Sequence, residues 1–284
     1  MSETTATEAP AETAPAAGQP HPYHLVDPSP WPLLGATAAG MMALGGVVFL
    51  HGGGAWLLIV GALSVAMVMA AWWRDIIIEA FVQRAHSAIT KLGLRYGMIL
   101  FIASEVMFFS AFFWAYFDAW LFPKAATGFV WPPEGIHFVG PIPLPFLMTM
   151  VLLLSGCTVT FAHHALQQGH QKEAVTQLAV TVGLGVLFTA LQAYEYVHAS
   201  FGFGDGIYPS AFYMATGFHG FHVLIGTVFL AVCWWRMAKG HFTPDSHFGF
   251  EAAAWYWHFV DVVWLFLFSF IYFFSTLGAP GGGN

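Results

Sequence analysis

Seven long apolar segments, separated by short polar links, dominate the pattern of the sequence. An α-helix needs about 17–25 mostly apolar residues to cross the ~30 Å hydrocarbon layer of a bilayer, and every segment approaches or reaches that length. The pattern therefore predicts an all-α integral membrane protein with seven transmembrane helices. The predicted helices are residues 33–50, 55–73, 96–120, 143–163, 175–198, 210–235 and 252–277.

Polar segments flank this transmembrane domain, which we assign to residues 22–277. Residues 1–21 are rich in Ala, Thr, Glu and Pro and contain no lysine or arginine. A signal peptide needs a positive start and an adjoining apolar stretch, so we predict a retained, disordered acidic tail. Residues 278–284 are predicted to be a flexible C-terminal tail. The very short link at residues 51–54 predicts that the first two helices form an antiparallel hairpin.

The basic residues predict the orientation. Seven of the eight lie in three links that alternate along the chain, and only Lys124 lies in a link on the opposite side. Cytoplasmic links carry the excess of Lys and Arg, so the N-terminus is predicted inside and the C-terminus outside. The seven are Arg74, Arg84, Lys91, Arg95, Lys172, Arg236 and Lys239.

Composition agrees with membrane insertion. The chain is 58% hydrophobic and 8% charged, whereas an ordinary soluble domain is about 25% charged. Its net charge of −7 argues against nucleic acid, which attracts clustered Lys and Arg. Cys157 and Cys233 lie in separate apolar segments without a paired motif, which excludes the usual disulfide and thiolate-metal patterns.

Glu105 is the most unusual residue of the apolar segments, because it falls near the middle of the third. A carboxylate at that depth costs roughly 2.5–3.5 kcal/mol on insertion scales. Either the acid carries a proton and bonds a neighbouring helix, or it belongs to a site that exchanges protons or meets a functional partner. The residues alone leave both readings open.

Several other polar residues lie in the apolar segments at helical spacing. His219 and His222 share a helix face, and acid–histidine pairs are predicted for Glu195 with His198 and for Asp261 with His258. No helix carries the three or four convergent ligands of a metal site, so we predict polar contacts between helices. Haem ligation by histidines of different helices and a proton relay through the acids remain open alternatives.

A rim rich in cations and aromatics follows the second segment. It comprises Trp73, Arg74, Glu79, His86 and Arg95, and Arg236 lies on the same predicted side. Basic rims between helices can hold lipid head groups. An ordinary cytoplasmic flank explains the same residues, and the residues alone favour that simpler reading.

Long blocks of the sequence closely resemble subunit III of cytochrome c oxidase, the haem–copper terminal oxidase. The likeness extends from about residue 22 to 276. The blocks are residues 94–116, residues 131–137 (WPPEGIH), residues 161–164 (FAHH), residues 215–223 (ATGFHGFHV), residues 247–251 (HFGFE) and residues 255–264 (WYWHFVDVVW).

The resemblance implies a seven-helix subunit whose first two helices splay from the other five, leaving a V-shaped cleft filled with phospholipid. It implies no catalytic residue, metal or redox cofactor in this chain, with haem and copper in partner subunits. Subunit I would be a direct partner, subunit II and a small subunit IV further members of the complex, and cytochrome c its electron donor. The implied role is to stabilise the catalytic subunit and support proton uptake, in the inner membrane of a bacterium.

Residue by residue, Glu105 matches the buried glutamate of this family that reacts with carbodiimides. Trp73, Arg74, Glu79, His86 and Arg236 match positions near the lipid head groups, which favours the lipid reading of the rim. One departure is Ile78, where the family commonly has a basic residue; Arg84 could replace that phosphate contact.

Two rival functions differ in what they require of the chain. The matching subunit of a quinol oxidase usually has five helices, so the first hairpin favours the cytochrome c enzyme. An autonomous proton or ion transporter would instead use Glu105, Glu195 and Asp261, and it would transport without partner subunits.

Overall fold

A computed structural model describes residue 23 and residues 28–277, apart from residues 132, 134, 137 and 138. Both predicted tails, 1–21 and 278–284, lie outside the described residues. The described chain forms seven helices that are long and apolar enough to cross a membrane, and it forms no β-strand. The prediction of an all-α, seven-helix protein is therefore confirmed.

The helices are α1 (Trp31–Leu50), α2 (Trp56–Phe81), α3 (Ala88–Leu121), α4 (Leu144–Gln167), α5 (Gln171–His198), α6 (Ile207–Ala238) and α7 (Phe248–Leu267). After α7 the helix continues through a π-helical segment, Phe268–Phe273, into a last turn, α8 (Phe274–Leu277). A short 3₁₀ turn, Ala125–Thr127, lies in the long link between α3 and α4.

Several helices are longer than the apolar segments that predicted them. The second was predicted to end at residue 73, but α2 continues to Phe81; the third was predicted to begin at residue 96, but α3 begins at Ala88. Hydropathy marks the part of a helix that lies in lipid, whereas backbone hydrogen bonding continues through polar residues. The extra turns carry the rim residues Arg74, Glu79 and Arg95.

The chain divides into two compact units, residues 1–94 and 95–284. In the first unit, α1 and α2 form the predicted hairpin. Glycines set its close approach: a Cβ added at Gly61 would lie 2.5 Å from the Met42 Cα. At the link, the Gly53 N–H donates to the Val48 carbonyl at 2.8 Å.

The second unit is built around α7, which contacts α4 and α6. Trp257 and Trp264 of α7 are fully buried. Their indole N–H groups donate to Ser155 and Thr149 of α4, both at 2.9 Å. A buried indole needs such an acceptor, so these two bonds fix which face of α7 meets α4.

Two predictions about the fold are not tested by either unit alone. These are the splayed, lipid-filled V-shaped cleft and the placement of the N-terminus inside and the C-terminus outside. Both stay predictions.

Candidate functional site

Glu105 projects from the middle of α3 toward α6, where it meets His222. Its Oε2 lies 2.9 Å from the His222 Nε2. The Glu105 side chain is 20% exposed and that of His222 10% exposed. The sequence left two readings open for Glu105. The structure shows the contact that the first of them requires, a hydrogen bond to a neighbouring helix.

The other nitrogen of His222 constrains where protons reside. Its Nδ1 lies 2.6 Å from the Phe218 carbonyl, one turn earlier on α6. A carbonyl oxygen only accepts, so Nδ1 must carry the hydrogen. Nε2 and the carboxyl of Glu105 then share one further proton, either as imidazolium with carboxylate or as neutral imidazole with carboxylic acid. Both forms have zero net charge, which lowers the cost of placing the acid in lipid.

Aromatic rings surround the Glu105–His222 pair. The rings of Phe108, Phe109, Tyr256 and Phe259 all lie with centroids 5.0–6.2 Å from that of His222. The surroundings are thus apolar, and electrostatic interactions within the pair are stronger than they would be in water.

His219 does not share a partner with His222, although the two share a helix turn. His219 is fully buried, and its Nε2 lies 3.1 Å from the Val260 carbonyl of α7. Its ring packs against Trp264, with centroids 5.2 Å apart. His219 therefore contacts α7, whereas His222 contacts α3. Three residues of helix rotate the two side chains apart by about 60°, so they meet different neighbours.

The predicted pair of Glu195 with His198 is wrong. Glu195 is 3% exposed and its Oε2 accepts hydrogen bonds from Tyr272 at 2.8 Å and from Gln192 at 3.0 Å. His198 is exposed; its Nδ1 lies 2.9 Å from the Tyr194 carbonyl, and its ring stacks on Tyr194. Two donors inside the bundle outcompete an imidazole that points outward.

Sequence reasoning missed Gln192 and Tyr272. Gln192 could have been found, because it lies three residues before Glu195 on the same helix face. Tyr272 could not, because it lies in the π-helical segment, which shifts the faces that a regular helix would present.

His258 and Asp261 do form the predicted pair. The Nδ1 of His258 lies 3.3 Å from the Asp261 Oδ2, and its Nε2 lies 3.1 Å from the Thr160 hydroxyl on α4. Thr160 gives its one hydrogen to the Gly156 carbonyl at 2.9 Å, so Nε2 is the donor to its oxygen. As at Glu105, the near nitrogen and the carboxyl share one proton.

The predicted lipid-binding residues lie in both units. Trp73 and Arg74 are exposed and Glu79 half-buried on the last turns of α2, and His86 lies in the link that follows. Next to them, the Trp31 indole donates to Asp75 at 2.7 Å. In the second unit Arg95 donates to the Glu251 carboxylate from two nitrogens, at 3.0 and 3.1 Å.

Arg236 is the most buried cation of this set. Its guanidinium lies 4.4 Å above the Phe242 ring, and its Nε is buried without a hydrogen-bond partner among the described residues. The ion pair of Arg95 with Glu251 was not predicted. Nothing in the sequence relates these two residues, which are 156 positions apart.

The histidines, cysteines and acids do not converge on a metal site in the described part of the chain. Among the described residues, no three His, Cys, Asp or Glu side chains are grouped so that they could hold a metal ion. Cys157 is exposed on α4, whereas Cys233 is buried in α6 with its Sγ 3.5 Å from the Gly249 carbonyl.

Comparison with known proteins gives a consistent result. Residues 21–276 match the family model of cytochrome c oxidase subunit III. Relatives of nearly the same length include cytochrome c oxidase subunit 3 of Prototheca wickerhamii, which is 56% identical over 90% of this chain and 98% of its own. The subunit 3 of Marchantia polymorpha is 55% identical over 90% and 98% of the two chains. That of Struthio camelus is 53% identical over 92% of this chain and 100% of its own.

Proposed function

The chain belongs to the cytochrome c oxidase subunit III family, and from this membership we propose that it is a non-redox accessory subunit of a proton-pumping cytochrome c oxidase. In this role it binds phospholipid, stabilises the catalytic subunit and supports proton uptake. Electrons pass from cytochrome c to oxygen through haem and copper held by other subunits.

The family match over residues 21–276 is the observation that carries the proposal. The intramembrane acids support the proposal, because each of them forms hydrogen bonds with a separate set of neighbouring side chains. Glu105 bonds His222, Glu195 bonds Gln192 and Tyr272, and Asp261 bonds His258. A transporter needs acids that are connected by a path, whereas acids bonded to separate local partners suit a packing role.

Phospholipid binding is assigned to Trp73, Arg74, Glu79, His86, Arg95 and Arg236. The chemistry supports this assignment: guanidinium groups bind phosphate through paired N–H groups, and tryptophan prefers the depth of lipid head groups. The terminal N–H groups of Arg236 form no ion pair among the described residues, so they remain for a phosphate.

The proposed partners are subunit I by direct contact, subunit II, and a small subunit IV as a further member. The proposed location is the inner membrane of a bacterium. Recovery of the complex from the plasma membrane of the source cell would test this location.

A purification experiment tests the proposed function. The chain is tagged at its C-terminus and purified in mild detergent, and its haem spectrum and metal content are recorded before and after it is stripped from the complex. We expect haem and copper to remain with the other subunits, and the stripped oxidase to turn over and then lose activity early. Haem retained by the isolated chain would contradict the proposal.

Reconstitution separates the rival function. The purified chain alone, placed in liposomes, should move neither protons nor other ions across the membrane. Transport by the chain alone, abolished by Glu105→Gln or Asp261→Asn, would instead support an autonomous transporter.

A further inference from the structure

Two side-chain oxygens near the C-terminal end of α5 are buried without a hydrogen-bond partner. Gln192 and Glu195 lie one turn apart and are 5% and 3% exposed. The Oε1 atom of each is buried, and neither atom has a partner among the described residues. Buried polar atoms in folded proteins are nearly always hydrogen-bonded, so a pair of exceptions on neighbouring side chains requires an explanation.

The hydrogen bonds that these residues do form show what the pair lacks. The Glu195 Oε2 accepts hydrogen bonds from the Tyr272 hydroxyl at 2.8 Å and from the Gln192 Nε2 at 3.0 Å. Tyr272 has no second hydrogen to donate, and the amide oxygen of Gln192 can only accept. The Gln192 Oε1 therefore needs a donor from outside this set of side chains, and the Glu195 Oε1 needs a partner as well.

Burial limits the identity of that partner. Aromatic rings enclose the contact, because the Tyr272 ring lies with its centroid 5.5 Å from that of Phe212 and 5.7 Å from that of Trp264. An organic ligand has no access to side chains that are enclosed in this way. A calcium or magnesium ion requires about six or more ligands, whereas Gln192 and Glu195 offer two oxygens.

A water molecule meets each requirement. It can donate to both Oε1 atoms when Glu195 is a carboxylate, and it can accept from Glu195 and donate to Gln192 when Glu195 is a carboxylic acid. Folded proteins hold about one buried water per 27 residues, usually bonded to buried polar groups of this kind. Glu195 also lies three residues before the end of α5 at His198, only about 5 Å along the helix axis.

The neighbouring helix leaves space beside Gln192. A Cβ added at Gly220 of α6 would lie 3.8 Å from the Gln192 Cγ, which is an ordinary contact distance. The glycine therefore leaves a space of about the size of a methyl group next to this side chain, where any larger residue would place carbon atoms.

We propose that an internal water molecule binds between the Oε1 atoms of Gln192 and Glu195. Through Glu195 this water site is connected to Tyr272, which lies in the π-helical segment Phe268–Phe273. Segments of this kind are frequent at functional sites, and here the segment contributes the tyrosine that holds the other carboxyl oxygen. The inference goes beyond the proposed function, because it concerns a ligand that this chain holds by itself.

X-ray radiolytic labelling of the purified complex tests the water site. Radiation converts a bound water molecule into a hydroxyl radical, which oxidises the side chains beside it. Tyr272 is 1% exposed, so bulk water does not reach it. Trp257 is the control, because it is fully buried and its indole N–H donates directly to Ser155. We expect mass spectrometry to find oxidised Tyr272 and unmodified Trp257 at the same dose.

Two results of this measurement would overturn the inference. Absence of label at Tyr272 would show that no water lies beside it. Label at both Tyr272 and Trp257 would show that radicals reach the core without a local water. Neither result depends on oxidase activity, and both come from the unsubstituted protein.

A substitution then tests whether Gln192 holds the water. Gln192→Leu removes one of the two oxygens and leaves the bond of Tyr272 with Glu195 in place, so we expect the labelling of Tyr272 to fall severalfold. Gln177→Leu is the matched control, since it makes the same change on α5 about four turns away, and it should leave the labelling unchanged. Equal labelling of Tyr272 in the Gln192→Leu variant and the unsubstituted protein would contradict the proposed site.

Discussion

At the scale of single residues, the two acid–histidine pairs share one arrangement. In each, a fixed acceptor holds the far nitrogen of the imidazole: the Phe218 carbonyl for His222 and the Thr160 hydroxyl for His258. The near nitrogen then shares a proton with the carboxyl. The arrangement keeps each acid–histidine pair at zero net charge, which lowers the cost of placing the acid in lipid.

Glu105→Gln should assemble normally and reduce oxygen at close to the rate of the unsubstituted complex. The Gln amide can donate to the His222 Nε2 in place of the carboxyl, so the contact across α3 and α6 survives. Glu105→Leu leaves that nitrogen buried without a partner, at a cost of about 1–3 kcal/mol. Oxygen consumption and thermal unfolding of the purified complex measure both variants. Loss of turnover in an assembled Glu105→Gln complex would mean that the acid acts in proton transfer.

At the scale of helices, glycine decides where α5 and α6 approach α7. A Cβ added at Gly185 would lie 2.6 Å from the Thr227 hydroxyl and 2.9 Å from the Trp257 ring. One added at Gly226 would also lie 2.9 Å from Trp257. Trp257, one of two fully buried tryptophans of α7, thus rests in a space that two glycines leave open, as is usual where membrane helices cross closely.

Gly185→Ala should destabilise the protein by about 1–3 kcal/mol, the usual cost of overfilling a packed core. Gly183→Ala is the matched control on the same helix, because a Cβ there meets no atom within 4 Å. Alanine favours helix over glycine by about 1 kcal/mol, so the control should be neutral or slightly stabilising. Thermal unfolding in detergent compares the two. Equal melting temperatures would show that α5 can move away from Trp257 at no cost.

At the scale of the whole molecule, the cationic side chains differ in whether they form an ion pair with a carboxylate. Arg95 is paired with Glu251 and Lys124 with Asp118. Arg236 instead contacts the face of the Phe242 ring and retains a buried Nε without a partner among the described residues. A cation already paired with a carboxylate has less to offer a phosphate, so Arg236 is a better candidate than Arg95 for a lipid head group.

Neutralising Arg74 and Arg236 together, as Arg74→Gln with Arg236→Gln, should deplete phospholipid from the purified complex and speed its inactivation during turnover. Lys124→Gln is the control, because it removes one positive charge from the link on the opposite predicted side. Native mass spectrometry counts the bound lipids, and the decay of oxygen consumption gives the inactivation rate. Unchanged lipid content would contradict the assignment of these residues.

The sequence by itself determined the class of the protein, its seven helices and the presence of an acid within the third. These follow from local properties, because hydropathy and backbone hydrogen bonding depend on residues near each other in the chain. The pair of His258 with Asp261 was also predictable, since one helix carries both.

Only the tertiary structure decided the partners of Glu105, Arg95 and Glu195. Glu105 and His222 are 117 residues apart, and Arg95 and Glu251 are 156 apart. Such contacts depend on how each helix rotates about its axis and which neighbours it packs against. That rotation is set by the sum of many packing contacts. Glu195 therefore bonds Tyr272 and Gln192, although the spacing of the sequence predicted a pair with His198.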